Sequence, residues 1–243
     1  MSSIDNLFQT PQPPKAFRFD NAVAKVFDDM INRSIPGYAT LLQLISTIAD
    51  QHIQAHSAVY DLGCSLGTVT RVMQQSTPAT PVQFYGVDTS QPMLDKAAQN
   101  FSAANIHWIN ADINELRFQP CSLILLNFCL QFIPLADRDG LLQRCYQALL
   151  PGGVLILSEK IAYEETDTQN WMRQQHETFK QMQGYSELEI SQKRQALENV
   201  LIAETLAQHQ ARLQQAGFLS SQMFFQSFNF MSLIAIKVAA EKS

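Results

Sequence analysis

The sequence predicts an α/β fold, a doubly wound and mostly parallel sheet of seven strands closed by an antiparallel C-terminal hairpin. Three observations carry this. Between Ala58 and Ser158, short apolar or β-branched runs alternate with segments of helical period, which requires crossover connections between parallel strands. Within that region, Val59-Tyr60-Asp61-Leu62-Gly63-Cys64-Ser65-Leu66-Gly67 ends an apolar run in an acid, passes two glycines and opens onto a helix. A first strand turns into a first helix in this way beneath a nucleotide-type ligand. The chain then closes on two β-runs, residues 222–228 and 231–238, with no helix between them.

At 243 residues, 46% hydrophobic and 16% charged, the chain has a globular balance and is long enough for one domain with an insertion. Its formal net charge is −5, and the densest basic pair, Lys193-Arg194, sits among acids. Proteins that hold nucleic acid on their own surface carry a basic excess or stripe, so no stable nucleic-acid binding is expected. Cys64, Cys121, Cys129 and Cys145 form no C-x-x-C pair and lie in apolar surroundings, the pattern of buried free thiols in a reducing, cytoplasmic setting. No cluster of His, Cys or Asp has metal-ligand spacing. The polar, proline-rich N-terminus lacks an apolar h-region. The longest apolar run, residues 123–135, contains Asn127 and Gln131 and is too short to span a bilayer, so no membrane partner is expected.

Taken in order, residues 1–16 read as a flexible N-terminal arm and residues 17–243 as a single domain. Asp20 is placed to cap a helix reaching Ser34, with Val23, Val26, Phe27, Met30 and Ile31 at helical spacing. Pro36-Gly37 breaks it, and a second helix runs from Tyr38 to His52. These two N-terminal helices either cover the mouth of a ligand site or pack on the sheet. Strands are predicted at 58–62, 84–88, 106–111, 123–127 and 154–158, with helices at 68–75, 92–103 and 137–149. Pro151-Gly152-Gly153 stops the last of these helices. A helical insertion after strand 5, about residues 159–203, carries helices over 167–183 and 186–199, the second opened by the capping box Ser186-x-x-Glu189. Ligands of open sheets bind at the carboxyl ends of the strands, so this insertion suits a substrate lid or a dimer surface.

Several residues are placed to carry chemistry. Gly63 and Gly67 let the backbone bend tightly and approach a ligand. Asp88 ends the second strand, where a carboxylate accepts from ribose hydroxyls; its plainer role is a helix cap, which Ser90 and Pro92 already fill. Asp112-Ile113 follows the third strand, where an acid can accept from an adenine amino group and the next N–H can donate; a solvated loop acid explains it equally. Asn127 ends the fourth strand, facing the reactive end of a ligand, with both a donor and an acceptor to offer. It is not followed by the Pro-Pro-aromatic run of amino-methylating enzymes. Pro120-Cys121 precedes that strand at the amino end of the sheet, away from any such site. Arg194 lies in the insertion and can fork onto a carboxylate, although an arginine on a polar helix face is usually just solvated.

Asp61-x-Gly63-x-x-x-Gly67 departs from dinucleotide spacing and is similar to the first motif of class I S-adenosylmethionine (SAM) methyltransferases. A more specific set of strings resembles the carboxy-S-adenosyl-L-methionine synthases from about Phe17 to Lys237. These are Phe17-Arg18-Phe19-Asp20, Arg33-Ser34-Ile35-Pro36-Gly37-Tyr38, Tyr60-Asp61-Leu62-Gly63-Cys64-Ser65, Asn127-Phe128, Leu157-Ser158-Glu159-Lys160, Gly184-Tyr185-Ser186-Glu187-Leu188-Glu189 and Phe228-Asn229-Phe230. The resemblance implies a Rossmann-like sheet, a homodimer, and conversion of SAM and prephenate to carboxy-SAM, phenylpyruvate and water through a sulfonium ylide. It also implies a partner tRNA carboxymethyltransferase that uses the product at the wobble uridine. Matched position by position, it places SAM or carboxy-SAM on Tyr38, Gly63, Cys64, Ser65, Asp88, Thr89, Asp112, Ile113, Asn127 and Arg194, with Arg194 on the new carboxylate. Thr89 stands where the family typically has Asn. Two other readings stay open on the residues alone: a true SAM-dependent methyltransferase, and a non-catalytic SAM-binding scaffold.

Overall fold

The structure, a computed structural model, describes residues 3–77 and 81–238. Helix α1 (Asn21–Ser34) begins where the Asp20 carboxylate accepts from the N–H groups of Ala22 and Val23. Gly37 turns the chain into α2 (Tyr38–His52), whose Leu41, Ile45 and Ala49 are wholly buried. Then follow β1 (Ala58–Leu62), α3 (Thr68–Ser76), β2 (Gln83–Asp88), α4 (Gln91–Asn100), β3 (Ile106–Asn110), β4 (Cys121–Asn127), α5 (Leu135–Ala148) and β5 (Leu149–Ala162). The insertion holds α6 (Thr166–Met182) and α7 (Glu187–Leu197). The chain ends with β6 (Glu204–Thr205), α8 (Leu206–Ala216), β7 (Ser221–Ser227) and β8 (Phe230–Ile236).

The strands lie in the order β3-β2-β1-β4-β5-β8-β7, with the short β6 paired to β5. β1 is parallel to β2 and β4, whereas β8 is antiparallel to both β5 and β7. The seven-stranded path and its antiparallel hairpin are thus as the sequence predicts. Successive residues of the central strands face opposite sides, so each side gains its own core. Val59, Leu123, Leu125 and Ile156 meet α2 and α3, and Tyr60, Leu62, Ile124 and Leu126 meet α5 and α8. A smaller cluster joins Val23, Val26 and Met30 of α1 to Met93 of α4 and to Leu66 in the turn after β1.

Three features differ from the sequence reading. Residues 206–216, given no element there, form α8; Thr205 and Gln208 make its capping box, and its buried face carries His209 where an apolar residue would have shown the period. β5 is longer than 154–158. It starts at Leu149 because that residue pairs with Cys121, and it runs through Pro151-Gly152-Gly153, whose glycines exchange backbone bonds with Lys237. Its far end pairs on to Phe230 and Thr205, so the insertion begins after Ala162 rather than at Glu159. Cys121 does not precede the fourth strand but opens it, fully buried at the amino end.

The arm expected to be flexible makes specific contacts with the insertion. Asp5 is buried, takes the Tyr185 hydroxyl at 2.5 Å and receives Lys193 at 3.9 Å. Gln192 donates to Phe8 O and Thr10 O, and Phe17 N–H to Ala196 O.

Candidate active site

Strand order reverses between β1 and β4, and ligand crevices of doubly wound sheets form at the carboxyl ends beside such a reversal. The turn after β1 lies there. Gly63 and Cys64 both donate to Val87 O, at 2.8 and 3.1 Å, and Ser65 N–H donates to the Asp88 carboxylate at 2.9 Å. Gly63 and Gly67 have φ of 75° and 74°, in the left-handed region that favours glycine. A Cβ on Gly63 would lie 2.5 Å from Cys129 Sγ, and one on Gly67 would lie 2.2 Å from the Trp108 ring. Protein atoms fill the space a Cβ would need, so packing from behind requires both glycines.

A small cavity of about 50 Å³ opens at this turn, lined by Tyr38, Asp61, Gly63, Cys64, Ser65 and Asn127 and bounded by Phe27, Asp28 and Ile31 of α1. Five of the sequence-predicted residues therefore meet in one place. Of the two N-terminal helices, α1 borders the cavity, while α2 packs on the sheet and adds Tyr38 from its first turn. Burial pushes the Tyr38 phenol far above its usual range, with Asp61 and Asp28 adding to the rise, so it remains a neutral donor. Asp61 is likewise lifted by burial, up to about 6, against the hydrogen bond it accepts from Thr70 Oγ1 at 2.6 Å. The Cys64 thiol is raised by burial and the neighbouring carboxylates, which leaves it protonated and inert. Asn127 Oδ1 is buried with no hydrogen-bond partner among the described residues.

The other predicted residues stand around this cavity rather than in it. Asp88 is joined to it through Ser65 and also accepts from Ser90 N–H at 2.8 Å, while Ser90 caps α4 as expected. Thr89 is exposed. Asp112, one strand further out, accepts from Asn114 N–H at 2.8 Å, and Ile113 is buried beside it. Asp88 thus ends β2, and Asp112 follows the end of the neighbouring β3.

Arg194 belongs to a second cavity of about 340 Å³, enclosed by α1, α6, α7 and the β7–β8 turn. There its side chain is 60% exposed and holds Glu177 at 2.8 Å. Phe17, Phe19, Phe132 and Phe230 give this cavity an apolar wall, while Phe27, Ile31 and Phe128 stand in the walls of both cavities. Its opposite side is cationic: Lys160, Lys180 and Lys193 surround His176. Burial lowers Lys180 and Lys193 to about 8 and, with the lysines' help, His176 to about 3. The His176 Nε2–H donates to Ser34 O at 2.8 Å, while burial beside the lysines keeps the ring neutral.

Sequence reasoning missed this basic side. The signal was present: Arg173, His176, Glu177 and Lys180 recur at i, i+3, i+4, i+7 on α6, a polar stripe on one helix face. Glu159 was also missed as a support. Wholly buried at the end of β5, it accepts the N–H groups of Leu130 and Gln131 at 2.8 and 2.9 Å and so fixes the turn that follows Asn127.

A family profile described as a methyltransferase domain matches residues 59–153. A carboxy-S-adenosyl-L-methionine synthase of Shewanella amazonensis is 48% identical over 238 residues, covering 96% of this chain and 98% of that protein. The synthase of Aliivibrio fischeri is 44% identical over 242 residues, 98% of this chain and 100% of that one. Among solved structures, human N-acetylserotonin methyltransferase in complex with SAM aligns with a TM-score of 0.61 over 90% of this chain and 56% of that one. At 16% identity it is a likeness of fold alone. The parallel sheet with its antiparallel closing pair is thus the methyltransferase one, and identity along nearly the whole length narrows the relationship further: the chain belongs to the carboxy-S-adenosyl-L-methionine synthase family.

Proposed function

We propose that this protein converts SAM and prephenate to carboxy-SAM, phenylpyruvate and water. The atoms balance: prephenate releases its ring carboxyl and its hydroxide, the SAM methyl carbon gives up one proton and takes the carboxyl, and that proton and the hydroxide make water. Near full-length identity to named synthases carries the reading. The geometry supports it. Asn127 Oδ1 needs a donor or a cation, and SAM brings both an ammonium and a sulfonium to this end of the sheet. The small cavity takes one end of such a ligand, with Tyr38, Gly63, Cys64, Ser65 and Asn127 holding the methionyl part. Asp88, Thr89, Asp112 and Ile113 hold the adenosine outside it.

Arg194 is assigned the new carboxylate, exchanging Glu177 for it. A charge-assisted hydrogen bond of about 1.5–3 kcal/mol favours the carboxylated ligand over plain SAM. The insertion forms the contact of a homodimer, since Trp171, Met182 and Leu188 on α6 and α7 leave large apolar surface exposed. The product serves a tRNA carboxymethyltransferase in the cytoplasm, and the acidic net charge of −5 suits an enzyme that supplies a metabolite without holding tRNA itself. Among the described residues no helix is long and apolar enough to cross a membrane.

Native mass spectrometry of the purified protein tests this. A bound ligand heavier than SAM by one carbon dioxide, and multiple turnover on added prephenate, are expected. Plain SAM with no carboxy-SAM formed from prephenate would return the protein to the methyltransferases or to a SAM-binding scaffold. A salt-sensitive complex with tRNA would overturn the metabolite-supply role.

A further inference from the structure

The larger cavity pairs an aromatic wall with ammonium groups that the protein itself leaves unanswered. Among the described residues neither Lys160 Nζ nor Lys180 Nζ has a hydrogen-bond or ion-pair partner, although Lys180 is only 9% exposed. The carboxylate both of them feel, Glu177, is already held by Arg194 at 2.8 Å. Lys193 is differently placed, donating to Ser34 Oγ at 2.9 Å with Asp5 beyond. Burial lowers both ammonium groups and Lys180 also feels Lys160 as a like charge, and an anion bound to the pair offsets both effects.

We infer that Lys160 and Lys180 clamp the prephenate carboxylate that remains in phenylpyruvate. The inference deepens the synthase reading and rests on it. The phenylalanine wall takes the six-membered ring, and Phe128, shared with the small cavity, marks the side on which the departing carboxyl faces the SAM methyl group. The clamp sets affinity and pose for the co-substrate and leaves SAM to the other cavity.

The test is steady-state kinetics on the full-length Lys160→Met and Lys180→Met variants at saturating SAM, together with the inhibition constant of phenylpyruvate and calorimetric binding of S-adenosylhomocysteine. Each variant is expected to raise KM for prephenate and Ki for phenylpyruvate at least tenfold, with S-adenosylhomocysteine affinity unchanged within twofold. Lys180→Arg is expected to restore part of the loss. Because a buried, unpaired cation is removed, the urea unfolding midpoint should rise or hold, whereas a purely structural lysine would lower it. Active wild-type protein whose lysine variants keep both KM and Ki would overturn the clamp and leave the synthase reading standing. Wild-type protein that makes no carboxy-SAM from prephenate would overturn both.

Discussion

Gly67 is held in place by what stands behind it. With φ at 74° and the Trp108 ring occupying the Cβ position, Gly67→Ala adds left-handed strain and overpacking together. Urea unfolding should show a loss of about 2–5 kcal/mol, and Trp108→Leu in the same background should recover part of it. An unchanged midpoint would show that the turn does not depend on this contact. Glu159 gives a pH signature. Burial lifts it to about 8, and backbone N–H groups and Arg138 only partly offset that rise. A carboxyl raised on folding stabilises fully below its unfolded pKa, and that stability is lost as pH climbs through the folded value. Asp61, raised to about 6, has lost its share by then. His176 and His209, lowered by burial to about 3 and about 4, work in the opposite sense and have finished by about pH 6.5. Lys180 and Lys193, lowered to about 8, gain stability as pH climbs through that value and oppose Glu159 there. Between about pH 6.5 and 7.5 the unfolding free energy should therefore fall in the wild type. Glu159→Gln should flatten that fall at lower overall stability, since an amide offers one acceptor to two N–H groups.

At the scale of elements, Arg138 ties several together. It has no exposed surface and donates to Ile133 O, Gln131 O, Ile202 O and Glu204, while Glu204 also takes Arg212 of α8 at 2.5 Å. Arg138→Met strands Glu204 and those carbonyls, and denaturation should register a loss of about 3–5 kcal/mol. A loss under about 1 kcal/mol, the scale of a surface ion pair, would mean the network is redundant. The elements themselves were unequally legible. α2 and β1 run as the sequence reads them because their apolar periods are clean and Pro36-Gly37 and the Gly63 turn punctuate them. α8 was hidden because its inner face spends a position on His209, and the length of β5 because strand pairing carries it through a Pro-Gly-Gly that reads as a stop. At the site, motif spacing pointed to Gly63 and Asn127 beside the small cavity, and the family resemblance added Tyr38, Cys64 and Ser65. Of the larger cavity only the α6 stripe is visible in the sequence, because Lys160 and Lys193 come from β5 and α7 and meet Lys180 only where the fold puts them.

For the whole molecule, the N-terminal segment and the insertion behave as one unit. Asp5 joins Tyr185, Arg33 and Lys193, and residues 8–17 run along α7, the helix that carries Arg194. Deleting residues 1–16 should speed amide hydrogen exchange in α7 at least tenfold while leaving β1 and β4 protected; equal protection of α7 would show the strap to be dispensable. Phe27, Ile31 and Phe128 border both cavities, so no ligand can order them for itself alone. Whichever ligand arrives first gives up the conformational entropy of that shared wall, and the second finds it set. Affinity for S-adenosylhomocysteine should accordingly rise in the presence of phenylpyruvate, and affinity for phenylpyruvate should rise by the same factor in return. A wall of three apolar side chains is thereby expected to couple two unlike ligands within one chain.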